Sequence, residues 1–293
     1  MCIANAHAAR HRKNPMTFQS DSDPNNVTSN VAEQPPIELE VKPLPEQWRI
    51  RDLLIFLLYG LLSLLVANVL VFVGYAVLRP LFHWAIPIQK LQTNVPFVLT
   101  LQLVWYVLLF AYIYLFVRFY YKTSFLSTLN WKKLSAHHTV RYLLGGAALS
   151  LVVMIIPPLL PEKKGFPLEK MFNSPASAYA IAVFAVLVAP FMEELLFRGL
   201  LFAFFEKHGG LTFAIVSTAL LFAGLHIPEY WGAWNNVVMI LVVGLTFSIV
   251  RGLTGSLTPS FVLHLAYNGT LMLMLFLQTQ HFQKMPTGLL IFR

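Results

Sequence analysis

Two acids and an arginine stand in an otherwise apolar run, Pro190-Phe191-Met192-Glu193-Glu194-Leu195-Leu196-Phe197-Arg198-Gly199, with no charge in residues 179–189 before it or 200–205 after it. Two more polar islands follow in apolar surroundings, His226 and the pair His264 and Asn268. A free carboxylate, two imidazoles and a carboxamide around one cavity are the groups that amide hydrolysis requires. Glu193 would take a proton from water, His226 would hold that water or pass the proton to the leaving amine, and His264 with Asn268 would donate hydrogen bonds to the tetrahedral oxyanion. No nucleophilic side chain is needed, and Ser217, Ser248 and Ser260 have no adjacent His-Asp pattern. On a helix, Glu194 faces Arg198 four residues on, in the favourable acid-before-base order, while Glu193 projects about 100° away. One acid is therefore neutralised and the other left free for chemistry.

The elements that carry these groups must be membrane helices. The chain of 293 residues is 57% hydrophobic and only 12% charged, with a mean hydropathy of +0.64, so the soluble globular class is a poor fit. Its net charge of +8 comes from Lys and Arg scattered between apolar runs, with no continuous basic stripe. That excludes a nucleic-acid partner and favours membrane lipids. Cys2 is the only cysteine, which rules out an internal disulfide and a cysteine metal cluster.

The expected fold is an all-α polytopic bundle of about seven transmembrane helices, over residues 53–78, 97–117, 142–160, 178–205, 211–227, 237–250 and 259–277. Thr258 is expected to cap the last helix, and Arg251 to close the sixth. Residues 1–47 read as a disordered cytosolic tail, 48–142 as two helices with a basic loop, 143–280 as the catalytic core and 281–293 as a solvated tail. The segment Arg118 to Arg141 holds five Lys and Arg and no acid, which marks it as cytoplasmic and puts the N-terminus on the same side. Measured from that side, Glu193 comes out roughly 17 Å deep, His226 roughly 22 Å, and His264 to Asn268 roughly 8 to 14 Å. One site towards the cytoplasmic half is expected, with Pro190 freeing the carbonyl of Val186 and kinking its helix.

Read as motifs, the islands are Glu193-Glu194-Leu-Leu-Phe-Arg198, Phe222-Ala-Gly-Leu-His226 and His264-Leu-Ala-Tyr-Asn268. In identity and order they resemble the E-E-x-x-x-R, F-x-x-x-H and H-x-x-x-N motifs of the CPBP intramembrane proteases, the CAAX prenyl protease type II and bacteriocin-processing family, also called ABI. The resemblance covers residues 143–277. It implies Glu193 as the activating glutamate, His226 as its partner, His264 and Asn268 as oxyanion-binding or water-orienting groups, and Glu194 with Arg198 and Phe222 in support. The family is often labelled metalloprotease, and Glu193, His226 and His264 could ligate zinc; the zincin spacing H-E-x-x-H is absent, so a metal-free mechanism is favoured and no cofactor is required. Substrates would be prenylated C-terminal peptides or leader peptides. Two rivals from other classes stand beside this reading, a non-catalytic immunity or scaffold member of the same fold and a proton-coupled transporter, although no repeat symmetry is found for the latter.

Overall fold

A computed structural model describes residues 49–83, 86–156 and 170–284. The expected tail 1–47 lies outside them, as does Arg293. Apolar runs long enough to cross a hydrocarbon core become helices because lipid offers no water to satisfy peptide groups, and a helix satisfies its own. Among the described residues six helices qualify by length and composition. One of these, Pro175–His226, has 52 residues, roughly 78 Å at 1.5 Å per residue and far more than one crossing needs.

Gly210 resolves the excess. Its φ of 78° and ψ of 179° lie outside helical space, in a conformation only glycine adopts without strain. The ring pairs Phe205–Phe213 at 5.5 Å and Phe197–Phe222 at 5.2 Å straddle this point symmetrically, so the chain doubles back there. The bundle thus has seven legs, as the apolar pattern predicts: α1 Ile50–Leu81, α2 Val95–Tyr120, α3 Ala136–Ile155, α4 175–209, α5 211–226, α6 Trp234–Thr254 and α7 Leu257–Gln278. No strand occurs among the described residues. Leu54, Leu58, Leu61 and Leu65 of α1 are each at least 58% exposed, a surface that suits lipid and not water.

Helix starts follow local chemistry. The side chain of Asn94 accepts from the N–H of Phe97 at 3.1 Å to cap α2, and Ser174 accepts from the N–H of Ser177 at 3.2 Å to cap α4, with Pro175 as its first residue. Buried Asp52 accepts from the N–H of Arg49 at 3.1 Å and from the hydroxyl of Tyr121, which clasps the start of α1 to the end of α2.

Four expectations need correction. Thr258 is not the cap of α7; Ser256 holds that position in extended conformation, and Thr258 lies inside the helix with its hydroxyl buried and unbonded. Arg251 does not mark the end of α6, which runs on to Thr254; the side chain is 3% exposed, donates from Nε to the carbonyl of Arg198 at 3.0 Å and lies 5.1 Å from the ring of Phe202. The basic segment 118–141 is not all loop, since α2 continues through Tyr120, Phe125–Thr128 forms one turn and α3 starts at Ala136. Nor is the described part of the segment after 280 a plain solvated tail, because Phe282 is buried, with Tyr179 at 5.0 Å and Phe276 at 5.3 Å.

Candidate active site

Helix α4 carries the acidic pair between two π-helical stretches, Phe184–Val188 and Leu195–Leu201. Such bulges release backbone groups from the regular ladder. A side chain from another helix takes one carbonyl of each: Asn268 of α7 donates from Nδ2 to Ala185 at 2.7 Å, and Arg251 of α6 reaches Arg198 as described. The carbonyl engaged is that of Ala185 and not the expected Val186, because the bulge precedes Pro190 and shifts the register.

Glu194 and Arg198 are both fully buried and meet at 3.2 Å between Oε1 and Nη1. The guanidinium also donates from Nη2 to the carbonyl of Gly244 at 2.9 Å and lies 4.6 Å from the ring of Phe222. These partners keep a cation in a place where an unpaired one would be driven out. Phe222 is a shared plate, since its ring also lies 4.6 Å from that of His226 and 6.0 Å from that of His264.

The oxygen that holds Arg198 also accepts from Nδ1 of His264 at 3.0 Å, across 70 residues. A carboxylate only accepts, so Nδ1 bears the proton and Nε2 is the nitrogen turned to Glu193, whose Oε2 is 3.5 Å away. His226 is oriented in the same manner, because its Nδ1 donates to the carbonyl of Phe222 at 2.7 Å and leaves Nε2 free for other partners. Glu193, His226, His264 and Asn268 line one cavity of about 340 Å³, with Phe222 in its wall.

The chamber is deeper than the expected site and differently placed. It runs to the end of the bundle away from segment 118–141, where Val98, Leu99, Phe172, Glu229 and Tyr230 line it. His226 is the last residue of α5 and draws the site towards the turn that follows. Glu229 and Gln102 are additions that the motifs do not contain. Glu229 is exposed at the mouth, yet the apolar walls crowded about it push its carboxyl above the usual range; Glu193 adds to that shift and His226 opposes it. Gln102 lies on α2 and donates to the hydroxyl of Tyr106 at 2.9 Å. Each could have been noticed as a lone polar residue beside apolar sequence, Glu229 three residues past a motif histidine. Among the described residues no three His, Cys, Asp or Glu converge closely enough to hold a metal ion, so the set Glu193, His226 and His264 does not fit zinc in this geometry.

Residues 175–270, which include all three motifs, match the family described as type II CAAX prenyl endopeptidase, Rce1-like. The chain is 27% identical over 175 residues to the UPF0177 protein YbdI of Lactococcus lactis, an alignment covering 58% of this chain and 91% of that protein. No solved structure matches.

Proposed function

We propose, for a chain that belongs through residues 175–270 to the CAAX-type intramembrane protease family, a membrane-embedded endopeptidase that cleaves peptides with water activated by Glu193. The observation that carries this is the division of labour between adjacent acids. Glu194 is spent on Arg198 and His264, whereas Glu193 faces the cavity with no Lys or Arg in an ion pair among the described residues.

In the proposed reaction the water oxygen attacks the scissile carbonyl carbon as Glu193 accepts one of its protons. Nε2 of His264, 3.5 Å away, is the next acceptor, and the imidazolium so formed can donate to the oxyanion from Nε2 while Nδ1–H stays on Glu194. His264 therefore cannot be an oxyanion donor in its neutral form, which refines the role expected from spacing alone. Asn268 has one amide N–H committed to Ala185 and a second left for the oxyanion. The proton finally moves to the leaving nitrogen, with Nε2 of His226 placed to hold the water or relay that proton. We further propose that segment 118–141 and the N-terminus are cytoplasmic, a reading supported by the Lys and Arg bias and open to cysteine labelling at position 132 in cells first stripped of Cys2.

The deciding experiment uses the protein in lipid nanodiscs with fluorogenic peptides. Glu193→Gln should lower turnover by about 10² to 10⁴, as loss of a general base does, with unchanged thermal melting. Full turnover in that variant would show that the base is elsewhere.

A further inference from the structure

The cavity carries charge of one sign. Glu193 and Glu229 are on its lining with His226 and His264, and no described Lys or Arg is. The two cations nearest in the fold are committed behind the wall, Arg198 to Glu194 and Arg251 to a backbone carbonyl. Glu229 is set in place by backbone, since its N–H donates to the carbonyl of His226 at 3.1 Å. That holds a carboxylate beside the catalytic imidazole at the entrance. Neither Glu193 nor Glu229 forms an ion pair with a Lys or Arg among the described residues.

We infer that Glu229 is a specificity-determining residue that receives a cationic side chain, Lys or Arg, of a peptide lying across the cavity, close to its scissile bond. The inference rests on the protease reading of the cavity and names its substrate class. An incoming ammonium or guanidinium supplies the charge that the lining lacks, in surroundings where Leu99, Phe172 and Met272 exclude water and strengthen the attraction. The burden that crowding places on a charged Glu229 is relieved by the same contact. A carboxylate is treated in the opposite way. An extended peptide advances about 3.3 Å per residue, so a C-terminus three residues beyond the scissile bond brings its negative charge within about 10 Å of two glutamates. The cavity therefore favours an internal, basic segment over a free acidic end.

Binding is measured on the Glu193→Gln protein in nanodiscs, so that cleavage plays no part in the readout. The probes are N-acetylated, C-amidated apolar peptides of one length that differ at a single position, Lys, norleucine or Glu. The Lys peptide should bind at least tenfold tighter than the norleucine peptide and the Glu peptide weakest. Glu229→Gln in the same background should erase the order, and Glu229→Lys should reverse it. Equal affinity for Lys and norleucine peptides, an order that survives loss of Glu229, or no binding by any probe overturns the proposal. If the order holds but protein with Glu193 intact cleaves none of the probes, recognition stands and the protease reading fails; cleavage without charge preference sinks recognition alone.

Discussion

Replacing Glu194 by Gln tests the buried scaffold of the site. The substitution keeps shape and removes charge, leaving Arg198 fully buried without its 3.2 Å counter-ion and His264 without an obligate acceptor at 3.0 Å. Breaking one side of a buried ion pair commonly costs about 3 to 5 kcal/mol. Two contacts survive and bring the cost to the lower end, the 2.9 Å bond to Gly244 and the approach to the Phe222 ring, the latter worth about 0.5 to 2 kcal/mol. The expected loss is about 3 kcal/mol, or roughly a hundredfold in the folding equilibrium. Reversible unfolding in mixed micelles, followed by tryptophan fluorescence, reads this directly. The double variant Glu194→Gln/Arg198→Met should be more stable than Glu194→Gln alone, because the stranded cation leaves with its partner. A single-variant loss below about 0.5 kcal/mol, the range of an ordinary surface change, would refute the claim that Arg198 depends on this carboxylate.

Asn268→Ala should lower turnover by roughly 10² to 10³ with little change in KM if its second N–H serves the oxyanion; a raised KM with unchanged turnover, in single-turnover kinetics, removes that role. Gly146→Ala should destabilise the bundle by about 1 to 3 kcal/mol and disturb the helix that carries His264 and Asn268. A Cβ there would lie 2.3 Å from the carbonyl oxygen of Leu263 and 2.9 Å from the nitrogen of Tyr267, and backbone atoms cannot swing aside; unchanged unfolding would disprove the close approach of α3 and α7. For Glu229, whose carboxyl is raised in the fold, the linkage sign is definite. Its protonated form is favoured by folding, so that contribution is full below the ordinary carboxylate range and is lost as pH rises through the raised value. Glu229→Gln should therefore match the parent in thermal melting under acid conditions and exceed it at neutral pH, while an equal or lower melting temperature at neutral pH contradicts the shift.

Everything that depends on spacing within one helix was open to reading in the chain alone. Seven apolar runs set the number of legs, and the four-residue step from Glu194 to Arg198 set the ion pair, because an α-helix brings residues four apart together whatever surrounds it. The exposure of Glu193 to the cavity follows from the same rotation. The three motifs, with their order, were enough to suggest the family that the match over residues 175–270 bears out.

What the tertiary structure decided lies between helices. Glu194 reaches His264 across 70 residues, Asn268 reaches Ala185 across 83, and Arg251 reaches Arg198 across 53. Those contacts set the tautomer of His264, hold open the bulges of α4 and bury a cation whose sequence position suggests a helix end. None of them is encoded by a local period, because each depends on the depth and rotation at which two helices pack. Glu229 was hidden for the same reason. An acid after a proline in a turn reads as a solvated residue until the fold places that turn over the mouth of the cavity. Helical periodicity is a property of a few consecutive residues, whereas the register between helices emerges only when side chains such as Phe222 and glycines such as Gly146 fix how closely the helices approach.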